Sequence, residues 1–469
     1  MNRKMLVIFA CVFFLNTSVA FAFPSVYPTG TTIYYPEKCW NGLTVLASGA
    51  LIDMNGNVVK EWDGMSGSPI PAKILPGGYI LGGGETLKGG FQDRVSVVQK
   101  DWDGNVVWEF KNLVEWSDGA WAARAHHDFQ REGNPVGYFV PGMEPKVNSG
   151  KTLILGHADT TNPEISKQKI IDDIIYEVAW DGEILWQWTG SEHFDEMGFN
   201  DAEINAIANS RGASIDLLHI NSVSYIGPNK WYDAGDQRFH PENIIWDSRH
   251  ANIIAIIDRN TGKIVWQIGP RYDASPQLKK LGWIIGQHHA HIIPRGLPGE
   301  GNILVYDNGG GAGYGQPDPV EGHWAVTREY SRVLEFDPTT LEKIWEYSPQ
   351  SAGWGFNQTT RFFSANISSA QRLPNGNTLI TEGAMGRIFE VTPDYEIVWE
   401  YVSPDFMQGA AMPGQPQPTQ QSNDIYRAYR VPYEWAPQLT KPVETAVIPP
   451  HNKDFRVKGS GSGYTGFVK

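Results

Sequence analysis

Residues 257–268 read IDRNTGKIVWQI, two short runs of apolar and β-branched residues around an Asn-Thr-Gly turn, with a tryptophan near the end. Glycine supplies the positive φ of a tight turn, and Ile, Val and Trp suit a half-buried pleated surface, so this stretch predicts a β-hairpin. Variants of the phrase end at five further tryptophans: Trp62, Trp108, Trp186, Trp345 and Trp399. Six hairpins of one design predict a protein built from repeats.

The spacing of these tryptophans predicts the kind of repeat. Two spacings, Trp62 to Trp108 and Trp345 to Trp399, match one propeller blade of about 40–50 residues, and the longer ones leave room for insertions. A second phrase recurs upstream of the hairpins, clearest in residues 370–380 (AQRLPNGNTLI), and predicts an inner hairpin in each blade. The sequence therefore predicts an all-β fold, a six-bladed β-propeller with loop insertions over one face. A linear β-solenoid is disfavoured, because long insertions would disrupt its regular stacking.

The first residues have the pattern of a targeting segment. Residues 1–22 join Arg3 and Lys4 to an apolar run that ends in an A-x-A site. This pattern predicts a cleaved secretory signal peptide, and therefore a periplasmic or secreted protein. No later apolar run is long enough to cross a bilayer, so we expect no membrane insertion.

The rest of the chain divides into a propeller and a tail. The propeller is expected over residues 23–437, with residues 423–437 supplying a strand that closes the ring, and residues 438–469 are expected to form a flexible tail. The insertion at residues 189–217 contains the one expected helix, and residues 307–328 form a glycine-rich loop. Such loops over one end of a propeller are where a lid or a specificity surface would lie.

Composition excludes several classes of partner. The net charge is −14 and no basic stripe is present, which argues against nucleic acid and against anionic membranes. Once the signal peptide is removed, Cys39 is the one remaining cysteine, so no internal disulfide is expected. A buried, unreactive thiol is its simplest interpretation.

The inner strands predict where a site lies. Aligning DFQREGN, NSVSYIGPN, AHIIPRG and AQRLPNGN superimposes Asp128, Asn221, Ala290 and Ala370. Two residues earlier, the aligned residues are His126, His219, His288 and Ser368. Equivalent positions on innermost strands surround the channel of a propeller, so three histidines from different blades are predicted to meet at the channel mouth. One such histidine alone is more simply a core residue bonded to the backbone, but three in register favour a site.

Three chemistries could use such a site. The first is metal binding by the imidazoles of His288, His289 and His291 together with His126, His127 and Asp128. On an extended strand, His289 and His291 would face one side and His288 the other. The second is anion binding by imidazolium and arginine. The third is transfer of a group to and from one histidine, with a second histidine as general base.

The chain resembles the bacterial arylsulfate sulfotransferase family from residues 27–46 to residues 425–433. The most specific segments are LHINSV (218–223) with SRHANIIAIIDRNTGKIVWQI (248–268), GQHHAH (286–291) with YDNGGG (306–311), and YSRVLEFD (330–337). The resemblance implies a six-bladed propeller enzyme that works without the nucleotide sulfate donor. It also implies ping-pong transfer of a sulfuryl group from an aryl sulfate to a phenol, through a transiently sulfated histidine.

The resemblance also implies roles for particular residues. By motif, His219 and His288 match the family's sulfuryl-binding histidines. The family's arginine is expected soon after the Asp-Asn-Gly turn, but here the turn continues as Gly-Gly-Ala (310–312), so Arg328 or Arg332 would replace it. We therefore expect His219, His288 and Arg332 to be catalytic.

The family's nucleophilic histidine is expected in the fifth inner-strand region. This chain has Ser368 and Ser369 there, so the nucleophile is expected to be His219, His288 or His126. A further set is expected to bind substrate: His126, Asn221, His291, Asn308 and Arg387.

The leading hypothesis is a periplasmic aryl-sulfate sulfotransferase with a small aryl sulfate and a phenol as partners. Neither a cofactor nor a metal ion is expected, and the sequence is compatible with a homodimer. Two alternatives stay open. One is a non-catalytic propeller that binds a sulfated or anionic ligand, and the other is a metal-dependent enzyme that uses the HHAH segment (288–291).

Overall fold

Six small antiparallel sheets form a ring, so the predicted six-bladed β-propeller is confirmed. The structure is a computed structural model that describes residues 28–65, 67–116, 119–210, 212–316, 324–408 and 421–449. The predicted signal peptide at residues 1–22 lies outside the described residues. No described helix has both the length and the apolar character needed to cross a membrane.

Each blade has four strands that run outward from the channel. In chain order, blade 1 contains Leu43–Leu46, Ala50–Ile52 and Val58–Glu61; blade 2 contains Lys73–Leu75, Tyr79–Gly83, Val97–Lys100 and Val106–Phe110; blade 3 contains Ala125–Arg131, Thr152–Thr160, Lys169–Val178 and Ile184–Thr189. Blade 4 contains Ile220–Tyr225, Ile244–Ser248, Ile253–Ile257 and Ile264–Ile268; blade 5 contains His288–Ile292, Ile303–Asp307, Arg332–Phe336 and Lys343–Tyr347; blade 6 contains Ser369–Arg372, Thr378–Glu382, Arg387–Val391 and Ile397–Val402.

Both ends of the described chain close the ring. Ala428–Val431 pairs with Leu43–Leu46 and becomes the innermost strand of blade 1, as residues 423–437 were expected to do. Gly30–Tyr34 pairs with Ile397–Val402 as a fifth, outermost strand of blade 6. The two closures join the first blade to the last through backbone hydrogen bonds. Within the described ranges, the one cysteine, Cys39, is free, so these hydrogen bonds rather than a disulfide join the ends.

The tryptophans of the outer hairpins also connect the blades. In every blade one indole Nε1 donates to a backbone carbonyl in the outer-hairpin turn of the next blade, and the sixth returns to blade 1. The pairs are Trp62 to Asp101 (2.8 Å), Trp108 to Trp180 (2.9 Å), Trp188 to Gly262 (3.0 Å), Trp266 to Pro338 (2.9 Å), Trp345 to Pro393 (3.1 Å) and Trp399 to Met54 (2.8 Å). In blade 3 the donor is Trp188 rather than the repeat residue Trp186, whose ring instead lies 4.8 Å from the guanidinium of Arg259.

Short helices and ribbons occupy the connections between strands. The insertion at residues 189–217 contains the predicted helix, Asp201–Ala208, which begins with a capping box made by Asn200 and Glu203. The remaining helical segments are Lys230–Asp233, Pro276–Leu281, Gly190–Glu196, Gln237–Phe239, Phe356–Arg361, Gly383–Met385 and Tyr433–Trp435. The remaining strands are Ser214–Asp216, which extends blade 3, and the ribbons Val114–Glu115 with Trp121–Ala122 and Met407–Gln408 with Gln421–Ser422.

Residues 438–449, the described part of the predicted tail, lie against blades 1 and 6. Val447 exchanges backbone hydrogen bonds of 2.7 and 3.0 Å with Tyr34. The carboxylate of Glu444 accepts a hydrogen bond from the backbone N–H of Met54 at 3.0 Å. These contacts fix this segment beside the two strands that close the ring.

Candidate active site

Three inner-strand histidines have left-handed backbone conformations, with φ of 55° at His127, 50° at His219 and 59° at His289. Such a conformation is costly for a residue with a Cβ. Each histidine lies in or beside an irregularity in the pairing of the first two strands of its blade. β-Bulges of this kind turn side chains away from the regular pleat and are common beside functional sites.

These bulges change the predicted register of the inner strands. The structurally equivalent pairs between the first and second strands are Gln130 with Leu153, Ser224 with Ile245, His291 with Leu304, and Gln371 with Leu379. The sequence alignment places His291 with Gln371, as found, but it places Phe129 and Ser222 where Gln130 and Ser224 lie. The predicted register is therefore wrong by one residue in blade 3 and by two residues in blade 4.

Histidines from different blades nevertheless meet in the channel. The ring of His127 lies 4.9 Å from that of His126 and 4.7 Å from that of His219, and His219 lies 4.6 Å from His250. His288 lies close enough to His127 that a charge on it would lower the pKa of His127, and His219 lies close enough to His288 to lower its pKa in the same way. We call His126, His127, His219, His250 and His288 the channel histidines.

His219 is held by a carboxylate. Its Nδ1 lies 2.5 Å from Oδ2 of Asp216, the last residue of the strand Ser214–Asp216 that extends blade 3. Because the carboxylate accepts a hydrogen bond from Nδ1–H, Nε2 is the ring nitrogen of His219 that is left to act on a substrate. The His219 side chain keeps 12% of its surface exposed, whereas His126, His127 and His288 are buried. His219 thus combines an oriented ring with access from the channel mouth.

His288 has less freedom than His219. Its Nδ1 lies 2.8 Å from Oδ1 of Asn308, and its Nε2 accepts a hydrogen bond of 3.2 Å from the backbone N–H of Ile367. Asn308 in turn donates to the backbone carbonyls of Ser364 and Ile367 at 2.7 and 2.8 Å. Both nitrogens of His288 are therefore engaged, and Asn308 serves to fix this ring.

Burial favours the neutral form of four channel histidines, His126, His127, His250 and His288. Desolvation lowers the pKa values of His126, His127 and His288 well below the usual histidine value, and nearby cationic groups lower them further. Desolvation likewise lowers the pKa of His250 to about 3, although the charge of Asp216 opposes this shift. Burial alone would raise the pKa of Asp216, but the charges of His219 and His250 reverse the shift and lower it. The site therefore places the Asp216 carboxylate beside imidazoles, and burial disfavours the charged form of most of them.

A buried ionic group closes the channel beneath the histidines. Asp128 accepts from Lys73 Nζ at 2.7 Å and from Arg427 Nη1 at 2.9 Å, and all three side chains are at most 2% exposed. Burial lowers the pKa of Lys73 to about 8, although Asp128 opposes this shift. The hydroxyl of Tyr426 donates to the backbone carbonyl of His127 at 3.2 Å. Buried side chains from three blades therefore fill the channel next to the channel histidines.

Aromatic and cationic groups form one side of the mouth. The Trp324 ring lies 4.8 Å from His250 and 6.2 Å from Tyr314. The guanidinium of Arg249 lies 5.9 Å from the Trp324 ring, and its charge lowers the pKa values of His250 and His288. The mouth thus offers flat apolar surface next to positive charge.

Two arginines predicted to serve the site point elsewhere. Arg332 donates to Oδ2 of Asp307 at 2.7 Å and also approaches Glu346 at 3.4 Å. Arg387 begins the third strand of blade 6 and pairs with Glu382 at 3.0 Å and with Glu400 at 2.5 Å. The alternative Arg328 also pairs with Asp307, at 2.8 Å. Both Arg328 and Arg332 line a separate cavity of about 400 Å³ with Trp283 and Ile285.

Asn221 and His291 join the inner strands to one another. The Asn221 amide donates to the backbone carbonyl of Gln287 at 2.8 Å and so bridges blades 4 and 5. His291 Nε2 lies 2.9 Å from the hydroxyl of Tyr138, and its Nδ1 lies 2.9 Å from the carbonyl of His289. Neither residue is among the contacts of the channel histidines given above.

Sequence reasoning missed several residues that the structure brings to the site: Asp93, His157, Asp173, Asp216, Arg249 and His250. Asp216 precedes His219 by three residues, a spacing that could have suggested a carboxylate–histidine pair. Asp173 lies in IDDI (171–174), where adjacent acids interrupt an apolar strand. Among the described residues, the two groups that could hold a metal ion are His126 with His157 and Asp173, and Asp216 with His219 and His250. Neither group uses the HHAH segment.

One known protein family matches the sequence. The sequence model described as Arylsulfotransferase (ASST) matches residues 145–399, a little over half of the chain. Among curated proteins, none matches the sequence.

The solved structures that resemble the chain are distant. A protein of unknown function from Bacteroides caccae aligns over 83% of this chain and 99% of its own at 11% identity, with a TM-score of 0.40. The Dos1 propeller aligns over 86% and 85% of the two chains at 9% identity, with a TM-score of 0.32. A catalytically inactive virginiamycin B lyase from Staphylococcus aureus aligns over 71% and 69% at 10% identity, with a TM-score of 0.31.

Proposed function

The chain belongs to the arylsulfotransferase family, and from that premise we propose that it moves a sulfuryl group from an aryl sulfate to a phenol through His219. Family membership supports aryl sulfotransferase activity in general. The observation that carries the finer proposal is the pair formed by Asp216 and His219, with Nδ1 and Oδ2 2.5 Å apart. This pair orients the partly exposed ring so that Nε2 is the nucleophile.

In the first step, Nε2 of His219 attacks the sulfur of the aryl sulfate. The N–S bond forms, the bond between sulfur and the aryl oxygen breaks, and the phenolate leaves with the electron pair. The imidazole gains positive charge as the N–S bond forms. The carboxylate of Asp216 stabilises this charge through the Nδ1 proton that it accepts.

In the second step, the acceptor phenol replaces the departed phenol. Its oxygen attacks sulfur, the N–S bond breaks, and the electron pair returns to Nε2 of His219. The phenol proton passes to the neutral ring of His250, which lies 4.6 Å from the ring of His219 and is also partly exposed. His250 is thus the proposed general base.

The surroundings suit both parts of the substrate. The charge of Arg249 lies beside the channel histidines and would stabilise the sulfuryl oxygens. The rings of Trp324 and Tyr314 offer flat apolar surface for the aryl group. Asn308 keeps His288 fixed so that its ring forms one wall of the sulfuryl pocket.

The test is to trap the sulfated intermediate. Purified protein would be mixed with 4-nitrophenyl sulfate without acceptor, digested, and searched by tandem mass spectrometry for one sulfuryl group. We expect the label on His219, its removal by added phenol, and no label in His219→Gln. The matched control is His291→Gln, which alters a buried histidine of blade 5 that is bonded to Tyr138 and is not one of the channel histidines; this variant should still be labelled.

Two outcomes would contradict the proposal at different points. A label on another residue would reject His219 as the nucleophile while keeping the reaction. Absence of nitrophenol release at several pH values, with and without phenol, would reject sulfuryl transfer from simple aryl sulfates. A non-catalytic anion-binding propeller would then be the better hypothesis.

The setting of this reaction is part of the proposal. We place the protein in the periplasm or outside the cell, after removal of residues 1–22, whose sequence has the pattern of a signal peptide. N-terminal sequencing of the exported protein tests this, and retention of residues 1–22 would contradict it.

A further inference from the structure

A second group of buried side chains contains the channel histidine His126 together with His157 and Asp173, and it has no role in the proposed transfer. His126 and His157 stack face to face, with ring centroids 3.6 Å apart and planes inclined by 14°. Nε2 of His126 lies 3.4 Å from Oδ1 of Asp173. The three side chains are at most 1% exposed, and each offers a ligand atom that lies within 4.8 Å of the other two. We call them the inner triad.

Two atoms of the inner triad lack partners. Nε2 of His126 and Oδ2 of Asp173 make no hydrogen bond within the described residues. Buried polar atoms in folded proteins are nearly always paired, so each such atom needs an explanation. Here both atoms belong to side chains of types that bind metal ions, and His126 Nε2 also lies 3.4 Å from the other oxygen of Asp173, so a bound cation would give both atoms a partner.

The hydrogen bonds on the opposite edges of the rings set the tautomers. His157 Nδ1 lies 2.5 Å from Oδ1 of Asp93, so the ring donates to the carboxylate and presents the lone pair of Nε2. Arg124 Nε donates to Oδ2 of Asp93 at 2.8 Å and holds this carboxylate in place. A carboxylate bound to the far nitrogen of a histidine is the arrangement that orients histidines toward metal ions.

His126 has an equivalent support. Its Nδ1 lies 2.7 Å from Nδ1 of His127, and one of these two nitrogens must donate to the other. When His126 donates, its Nε2 presents a lone pair toward Asp173. Both histidines of the inner triad then direct Nε2 lone pairs inward, beside a carboxylate.

We propose that His126, His157 and Asp173 bind one divalent first-row transition-metal ion, with zinc as the reference ion. Two neutral imidazoles and one carboxylate are a donor set that zinc accepts while keeping a fourth position open for water. The same set suits other ions of this series, and it suits magnesium or calcium poorly because those ions prefer oxygen ligands. This inference does not depend on the sulfuryl-transfer proposal, since His219 and Asp216 are not ligands in it.

The experiment uses the full chain, purified without chelator and then stripped of metal by dialysis. Elemental analysis gives the metal content before stripping, and titration with zinc gives the stoichiometry and affinity afterwards. Cobalt binding gives a visible absorption spectrum that reports the geometry of the ligands. We expect one equivalent of zinc per chain and a four-coordinate cobalt spectrum.

Variants assign the ligands. Asp173→Asn and His157→Gln keep side-chain size and should weaken zinc binding by about 100-fold or more. Asp93→Asn removes the support of His157 and should weaken it by about 10–100-fold. The matched control is His250→Gln, which alters the outer group of Asp216, His219 and His250 and should leave zinc affinity within about threefold. Circular dichroism and the thermal midpoint confirm that each variant is folded.

Each other outcome overturns the proposal. Substoichiometric metal together with no zinc binding after stripping would show that the inner triad holds no ion. Equal affinity in Asp173→Asn and the unmodified chain would remove the carboxylate from the ligand set. Loss of binding in His250→Gln but not in His157→Gln would move the ion to the outer group. Metal content and affinity are measured without substrate, so these outcomes are separate from those of the sulfuryl-transfer test.

Discussion

Replacing Asp216 with asparagine removes a charge but keeps a side chain of the same shape beside His219. In the first step of the proposed reaction, the imidazole of His219 becomes positively charged as the N–S bond forms. The negative charge of Asp216 stabilises that state more than the neutral starting ring. We therefore expect Asp216→Asn to slow formation of the sulfated enzyme, while substrate binding changes little because Asp216 does not contact the substrate.

The size of the effect follows from the geometry. Nδ1 of His219 and Oδ2 of Asp216 are 2.5 Å apart, which places the centres of charge about 4 Å apart. Two unit charges at this distance attract each other by about 4 kcal/mol at an effective dielectric constant near 20. With about half of the charge developed in the transition state, the loss is about 2 kcal/mol, or about 30-fold in rate at 1.4 kcal/mol per tenfold.

The assay is the pre-steady-state release of nitrophenolate. Stopped-flow mixing with excess 4-nitrophenyl sulfate gives a burst whose rate reports the first step, and its dependence on substrate concentration separates binding from chemistry. The expected result is a burst rate about 30-fold lower in Asp216→Asn, up to about 1000-fold if the charge is fully developed.

The control is Asp172→Asn. Asp172 is also buried in blade 3, but its carboxylate accepts from the backbone N–H of Ser191 and does not contact His219. It should keep the burst rate within about threefold of the unmodified protein. A folded Asp216→Asn protein with an unchanged burst rate would refute the role given to this pair, and an equal loss in Asp172→Asn would show a general effect of buried charge.

Three further predictions concern stability and the arginines. Trp399→Phe removes the indole donor of the Met54 carbonyl, which keeps the Thr31 hydroxyl as a donor at 3.2 Å, and leaves space where the buried indole packed. It should lower the free energy of unfolding by about 2–3 kcal/mol in urea denaturation. Trp186→Phe, which alters none of the six indole hydrogen bonds between blades, should cost less than about 1 kcal/mol, and equal costs would refute the role given to those hydrogen bonds. Burial raises the pKa of Asp247 to about 7 from an unfolded value near 3.9, so its contribution to the free energy of unfolding is fully present below about pH 4 and is lost as the pH rises through 7. The stability of Asp247→Asn should therefore rise relative to that of the unmodified protein over this pH range. Parallel plots of unfolding free energy against pH for the two proteins would contradict this. Arg249→Met removes the charge proposed to stabilise the sulfuryl oxygens and should lower kcat/KM by about 100-fold. Arg332→Met leaves the buried carboxylate of Asp307 without this partner, so it should lower the free energy of unfolding by about 3 kcal/mol and keep kcat/KM within about threefold. The reverse pattern would return Arg332 to the catalytic role expected from the sequence.

The number and order of the blades could be predicted from the sequence because every outer hairpin carries the same local signals. The Asn-Thr-Gly turn and Trp266 in the following strand Ile264–Ile268 depend on residues that are close to them in the chain. Such signals survive large insertions elsewhere. The sequence could not predict that Trp188, rather than Trp186, makes the indole hydrogen bond from blade 3 to blade 4. Both indoles lie on the same strand, and contacts with blade 4 decide which of them donates.

The register of the inner strands was beyond the reach of alignment for a physical reason. A β-bulge adds a residue without changing the local sequence character, and His127 and His219 adopt positive φ that no motif signals. The sequence could place histidines of several blades at one channel, since the start of every inner strand lies at the channel. It could not place Asp216 and Asp173 there, because they come from an added strand and from the third strand of blade 3, outside the repeat phrase.

The strain in the channel and the closure of the ring are connected. Positive φ at His127, His219 and His289 costs of order 1–3 kcal/mol at each residue and persists only where the surrounding structure fixes the backbone. Here the inner strands cannot relax, because each blade is held to the next by a tryptophan and the first blade is joined to the last by Ala428–Val431 and Gly30–Tyr34. Weakening the contacts that close the ring of blades should therefore let these histidines leave their strained conformations before the protein unfolds. Activity in Trp399→Phe should accordingly decline at lower urea concentrations than the loss of β-structure, and coincident transitions would show that the channel geometry does not depend on ring closure.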